Sequence, residues 1–157
     1  MEIKQEIPIK SFVVVVYVCR IENNKSKYLI ILRNTPYLKN TWQMVSGKIE
    51  KSEKGWESAL RELKEETNLV PDLFYSADRL EQFYEVSKNC IQINPIFLAI
   101  IKSNQEVILS NEHKDFKWIT KEEAHKYLKF NHQIETIDYL EENFVSNKPF
   151  EFLEIKI

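Results

Sequence analysis

The run Phe12-Val13-Val14-Val15-Val16-Tyr17-Val18-Cys19 restricts the fold more than any other stretch of the chain. Its β-branched and aromatic side chains suit a pleated surface better than a helix. Polar residues do not alternate with apolar ones, so the run reads as a buried central strand. A polar turn from Glu22 to Ser26 leads to a second apolar run, Tyr28 to Leu32, and the two form a predicted hairpin. Eight apolar residues are too few to span a bilayer. Met1 to Glu6 is too polar for a signal peptide. A soluble, cytoplasmic chain with no membrane partner is expected.

Beyond the hairpin, Asn34 to Thr41 reads as a loop around Pro36, and Trp42 to Val45 as a short strand entering Ser46 and Gly47. A helix is predicted from about Glu53 to Thr67, with Ser52 as N-cap and its end near Asn68, ahead of Pro71. Leu80 to Val86, Ile91 to Ile101 and Phe116 to Ile119 read as strands, and Pro95 implies an edge position or a bulge. Thr120 and Glu123 form a capping box for a second helix. A third covers roughly Gln133 to Asn143, and the tail from Phe150 to Ile157 is left open between a strand and an interface segment. Strands, a helix, strands and then helices predict an α+β fold: one domain over residues 1–157, built as a mixed sheet packed by helices. Trp42, Trp56 and Trp118 are assigned to the core, and Cys19 and Cys90 are expected as buried free thiols.

The net charge of −2 and the absence of a basic stripe argue against a nucleic-acid partner. The chain has only two glycines, Gly47 and Gly55, so each is expected where the backbone needs one.

On a helical projection Trp56, Ala59, Leu60 and Leu63 share an apolar arc about 100° wide, and Glu62, Glu65 and Glu66 share a separate arc beside it. Like charges at these spacings destabilise a helix by about 0.2–0.5 kcal/mol per pair. Two of the acids also sit near the C-terminus, where the helix dipole disfavours them. A hard divalent cation would remove the conflict. From the helix pattern alone, a solvated acidic face with Arg61 and Lys64 as loose partners is the better description.

The spacing around the helix adds more. Gly47 is followed by Glu53, then by Arg61-Glu62-Leu63-Lys64-Glu65-Glu66, then by Leu69. This resembles the Nudix box, G-x5-E-x7-R-E-U-x-E-E-x-G-U, in which U is apolar. At average residue usage so full a match arises by chance less than about once in ten million starting positions. The box's second glycine is Asn68 here, the residue type that best tolerates the left-handed conformation expected at that helix end. The resemblance implies the Nudix fold, a mixed β-sheet sandwiched between α-helices (α/β/α). It also implies a hydrolase of phosphoanhydrides that uses Mg²⁺ or Mn²⁺. Glu62, Glu65 and Glu66, with the carbonyl of Gly47, would be metal ligands. Arg61 would orient the carboxylates, and Glu53 would pair with Arg61 or reach a metal through water. The base varies in the family; Glu112 is the candidate beyond the box, while His113 is read as structural or exposed. Arg33 is a candidate for phosphate contact, and Phe83 or Tyr84 for stacking on a base, with Tyr84 the assigned substrate-binding residue.

The partner implied is a small-molecule nucleotide. The segments Trp42 to Glu50 and Glu112 to Ala124 resemble Nudix enzymes that act on dATP or dihydroneopterin triphosphate and release pyrophosphate. The second segment also resembles diadenosine tetraphosphate hydrolases, the next choice. Nucleotide-sugar cleavage and removal of oxidised nucleotides stay open. A non-catalytic Nudix-like binding module would typically lack one of the glutamates, all of which are present, and RNA-end processing is disfavoured by the charge. Many relatives are dimers, so a homodimer is compatible with the resemblance.

Overall fold

The computed structural model describes residues 1–2, 4–102 and 104–157. Its strands are β1 (Ile9–Lys10), β2 (Val13–Glu22), β3 (Lys25–Arg33), β4 (Trp42–Gln43), β5 (Val45–Lys48), β6 (Leu73–Glu85), β7 (Cys90–Ile101) and β8 (His113–Ile119). The helices are α1 (Gly55–Thr67), α2 (Ala124–Tyr127) and α3 (Asn131–Leu140). The sheet is mixed. β2 runs parallel to β7 and antiparallel to β3, β6 lies antiparallel on the far side of β7, and β8 pairs with β3. β5 pairs with the first half of β2.

The lack of alternation in β2 now has its reason: both faces of the strand are covered. Val14, Val16 and Val18 pack with Ala59 and Leu63 of α1. Val15, Tyr17 and Cys19 pack with Ala124, Ile137 and Leu140 of α2 and α3. The result is the expected α/β/α sandwich. Both cysteines are buried and free. The three tryptophans stand at the core margins, only partly buried.

Asn23 and Asn24, at φ 51° and 58°, form the two-residue turn between β2 and β3. Neither glycine has positive φ, and asparagines at positions 23, 24, 40, 68 and 89 take left-handed conformations instead.

Several predicted boundaries move. Ser52 is not the N-cap of α1: it lies in the preceding loop at φ 72°, and Lys54 occupies the cap position. The reason is that Glu57 reaches back to the Lys54 N–H at 2.8 Å, starting the helix two residues after Glu53. β6 begins at Leu73, well before the predicted Leu80, because its first half pairs fully with Ala99 and its neighbours on β7. Pro95 is not at an edge. It faces Leu80, where the β6 register shifts after Ser76, so the bulge is the correct alternative. The Thr120–Glu123 capping box forms as expected. Its helix is short and stops at Tyr127. The tail is a 3-10 turn at Glu151–Leu153 followed by a bridge from Glu154 to Tyr75, so it closes against β6. Among the described residues, no helix is long and apolar enough to cross a membrane.

Candidate active site

The segment from Gly47 to Leu69 folds back on itself around one side chain, Arg61. Its Nε donates to Glu53 Oε1 at 2.5 Å, and its Nη2 donates to Glu53 Oε2 and to the Lys48 carbonyl, both at 3.0 Å. Its Nη1 donates to Glu62 Oε1 at 2.8 Å and to Glu65 Oε2 at 3.2 Å. Glu53 in turn accepts from the Glu50 N–H at 2.9 Å. The guanidinium beside Glu53 holds that carboxyl down at about 2. Arg61 thus ties the loop after β5 to helix α1, and Glu53 is its direct partner.

Gly47 matters for space. A Cβ on Gly47 would overlap the Glu62 carboxyl group. Only a residue without a side chain lets the β5 backbone come this close to the helix.

The three acids of the helix do not share one environment. Glu65 is the most open, its side chain 59% exposed beside Arg61. Glu62 is only 14% exposed. Burial raises its pKa, Arg61 opposes the rise, and Glu65 and Glu112 add to it. Glu66 is buried, and its Oε2 has no hydrogen-bond partner. Burial pushes its pKa up to about 9, reinforced by the charges of Glu62 and Glu112 and opposed by Arg33 and a Ser46 backbone hydrogen bond. The helix ends at Asn68 in the left-handed conformation expected, at φ 64°, with its N–H bonded to the Lys64 carbonyl.

Backbone bonds bring the distant residues to these acids. The chain after β7 bonds back to the end of α1, Ile108 N–H to the Thr67 carbonyl at 2.9 Å and Ser110 N–H to the Glu66 carbonyl at 3.3 Å. The Asn34 N–H then holds the Glu112 carbonyl at 2.8 Å. Glu112 and Arg33 therefore stand in one cleft with Gly47, Glu62 and Glu66, a space of about 940 Å³. Arg33 is steadied by Nε donation to Thr35 Oγ1 at 2.7 Å and lies over the Tyr37 ring. His113 is buried at the start of β8, and burial with the Arg33 charge lowers its pKa to about 4. Among the described residues, no three acidic, histidine or cysteine side chains stand close enough as placed to enclose an ion. What fits a hard cation is the donor chemistry: carboxylate oxygens, one of them buried and unpartnered.

A loop-plus-helix acidic site on this sheet has a family. The NUDIX domain model matches residues 11–140. The chain belongs to the Nudix family. An asymmetrical bis(5′-nucleosyl)-tetraphosphatase of Caenorhabditis elegans is 30% identical over 101 residues, covering 64% of this chain and 73% of the relative. The structure of a C. elegans Ap4A hydrolase binary complex aligns with a TM-score of 0.71 at 23% identity, over 83% of this chain and 94% of that one. That of the E. coli dihydroneopterin triphosphate pyrophosphohydrolase gives 0.67 at 20% identity, over 89% and 96%. The protein is a Nudix hydrolase of nucleotide-type substrates, in a family whose members generally need a divalent metal.

The Nudix cleft also refines one expectation and adds residues that the sequence reading missed. Tyr84 is half exposed and donates its hydroxyl to Asn89 Oδ1 at 2.7 Å. Strand alternation sets it on the opposite face from Glu81, Phe83 and Glu85. Both rings line the cleft, Phe83 from the more covered face of the strand and Tyr84 from the exposed one. Tyr37, whose hydroxyl donates to Glu85 at 2.9 Å, and Phe130 also line the cleft. So do Gln92 and Asn94 of β7 and Gln133 of α3. Gln92 and Asn94, polar residues two apart on an apolar strand, were a signal for the β7 pair alone.

Proposed function

We propose that this Nudix hydrolase cleaves a phosphoanhydride of a dinucleoside tetraphosphate asymmetrically, using Mg²⁺ or Mn²⁺ held by Glu62, Glu65, Glu66 and the carbonyl of Gly47. The observation that carries the chemistry is Glu66: a buried carboxylate with an unpartnered oxygen, facing the charges of Glu62 and Glu112 in an open cleft. Such a group is held ready for a cation. When bound, the ion supplies charge neutralisation at phosphate oxygens and Lewis acidity toward the attacking water. Arg61 is a positioning residue that keeps the Gly47 backbone against Glu62. Arg33 offers a guanidinium to a phosphate from the cleft wall. Glu112, exposed and on the same cleft, takes the proton of the water at its carboxylate. The choice of substrate is supported by the C. elegans relative and by a cleft of about 940 Å³ with rings at Tyr37 and at Phe83 and Phe130.

A second reading, a dATP or dihydroneopterin triphosphate hydrolase releasing pyrophosphate, is supported by the segments Trp42 to Glu50 and Glu112 to Ala124 and by the fold of the E. coli pyrophosphohydrolase. A panel decides between them: diadenosine tetraphosphate, dATP, other nucleoside triphosphates, dihydroneopterin triphosphate and nucleotide sugars, each with and without EDTA. AMP and ATP from diadenosine tetraphosphate are expected. Pyrophosphate from a triphosphate at higher kcat/KM selects the second reading. Equal turnover with EDTA overturns the metal assignment.

A further inference from the structure

The end of the cleft away from the carboxylates is lined by polar groups that the hydrolytic chemistry leaves unused. Glu81 of β6 and Asn94 of β7 are cross-strand partners, and Asn94 Nδ2 donates to Glu81 Oε2 at 3.2 Å. His132 Nε2 lies 2.7 Å from the other oxygen, Glu81 Oε1. These contacts fix the orientation of the Asn94 amide, because turning it over would set its oxygen against a carboxylate. Its Oδ1 is therefore an acceptor, buried and without a partner. Gln133, in the first turn of α3, carries a second buried amide oxygen without a partner. Asn94 is 3% exposed and Gln133 7%, and both line the cleft. Buried acceptors are rarely left unmet, since each loses its water without replacement.

We infer that this end of the cleft is a subsite for the amino-bearing edge of a purine-type heterocycle, with Asn94 Oδ1 and Gln133 Oε1 accepting its N–H groups. The inference rests on the cleft being a nucleotide site and names the part of the nucleotide recognised there. The two unmet amide oxygens make a wall of acceptors beside Glu81, whose own oxygens are already taken by Asn94 and His132, so the matching ligand edge carries donors. Adenine, guanine and pterin rings carry an exocyclic amine. Uracil and thymine present one N–H between two carbonyls and meet the wall with like groups. Phe83 and Phe130 line the same cleft and suit a planar ring. Both oxygens are closed to water in this structure, so ligand entry brings a small rotation of the side chains over them.

The test compares diadenosine tetraphosphate with bis(purine riboside) tetraphosphate, which differs only in lacking the amines, and adds diguanosine tetraphosphate to distinguish a 6-amino from a 2-amino edge. In the wild type, kcat/KM for the better amino substrate is expected to exceed that for the purine riboside compound by more than about tenfold, as sites built to bond a substrate N–H discriminate strongly. In Gln133→Met and Asn94→Leu, each checked for folding by thermal melting, that ratio falls to within about twofold. A wild-type ratio near one, with both substrates turned over, overturns the subsite and leaves the hydrolase reading intact. A tenfold ratio that survives in both variants overturns the assignment to these residues. Turnover of none of these, nor of the polyphosphates above, overturns the hydrolase reading instead. Calorimetry with the α,β-methylene analogues of ATP and purine riboside triphosphate then reads the subsite directly, and equal affinities overturn it.

Discussion

Replacing Glu66 by Gln keeps the shape of the side chain and removes its charge. Without metal, the native carboxyl titrates at about 9, whereas its ordinary value is 4.5. Between those values the native protein holds a proton that the unfolded chain releases. The Glu66 site therefore weakens folding progressively as pH rises from 4.5 towards 9. At pH 7.5 the interval from 4.5 is three pH units, and at 1.36 kcal/mol per unit the wild type bears a penalty of up to about 4 kcal/mol that the amide escapes. For a chain of this size that is a rise in Tm of about 10 °C for Glu66→Gln in EDTA at pH 7.5, shrinking towards zero near pH 4.5. Mg²⁺ should reverse the order, because it stabilises only the form that binds it. Wild-type Tm should rise with Mg²⁺, more at pH 8 than at pH 6, and the variant should respond little while losing more than about tenfold in kcat. Calorimetric melts at several pH values, with EDTA and with Mg²⁺, read all of this. Equal Tm for the two proteins in EDTA at pH 7.5 would refute the claim that Glu66 is held dry and crowded by charge.

Gly47→Ala should displace the Glu62 carboxyl, costing about 1–3 kcal/mol of stability by overpacking and more than tenfold in kcat/KM; melting and steady-state rates check it. Asn68→Ala should cost about 1 kcal/mol, since alanine keeps the left-handed Cβ but lacks the short polar side chain that lets asparagine tolerate it, whereas Asn68→Gly should be close to neutral; denaturant titration distinguishes them. His113 titrates near 4 in the folded chain against 6.5 ordinarily, so the unfolded state binds the extra proton between those values and stability falls as pH drops through them. Allowing for partial screening, the wild type should lose about 2 kcal/mol more than His113→Gln between pH 7 and pH 4.5. If Glu112→Gln matches the wild-type rate at every pH, Glu112 is not the base.

The acids of α1 show where sequence reading stops. Their spacing puts Glu62, Glu65 and Glu66 on one side of a helix, but the helix alone does not say which of them meets water. The answer depends on β5, whose backbone approaches Glu62 at Gly47, and on the chain after β7, whose N–H groups hold the carbonyls of Glu66 and Thr67. Phe83 and Tyr84 show a related limit. Strand alternation shows that Phe83 and Tyr84 face opposite ways, but which of them lies on the side of Glu81 and His132 is decided by the packing of α3. Asn94 and Gln133 lie on elements far apart in sequence and carry no local signal of their meeting.

By itself the sequence determined the hairpin, the helix that follows it, the left-handed end at Asn68 and the reaction class, because each depends on neighbours within a few turns of chain or on one contiguous spacing. Only the tertiary structure decided that Glu66 is buried and Glu65 exposed, that Gly47 is needed for room, and that Arg33 and Glu112 share a cleft with the acids. Those properties come from contacts across the sheet, where burial and charge are set by whatever the fold brings alongside.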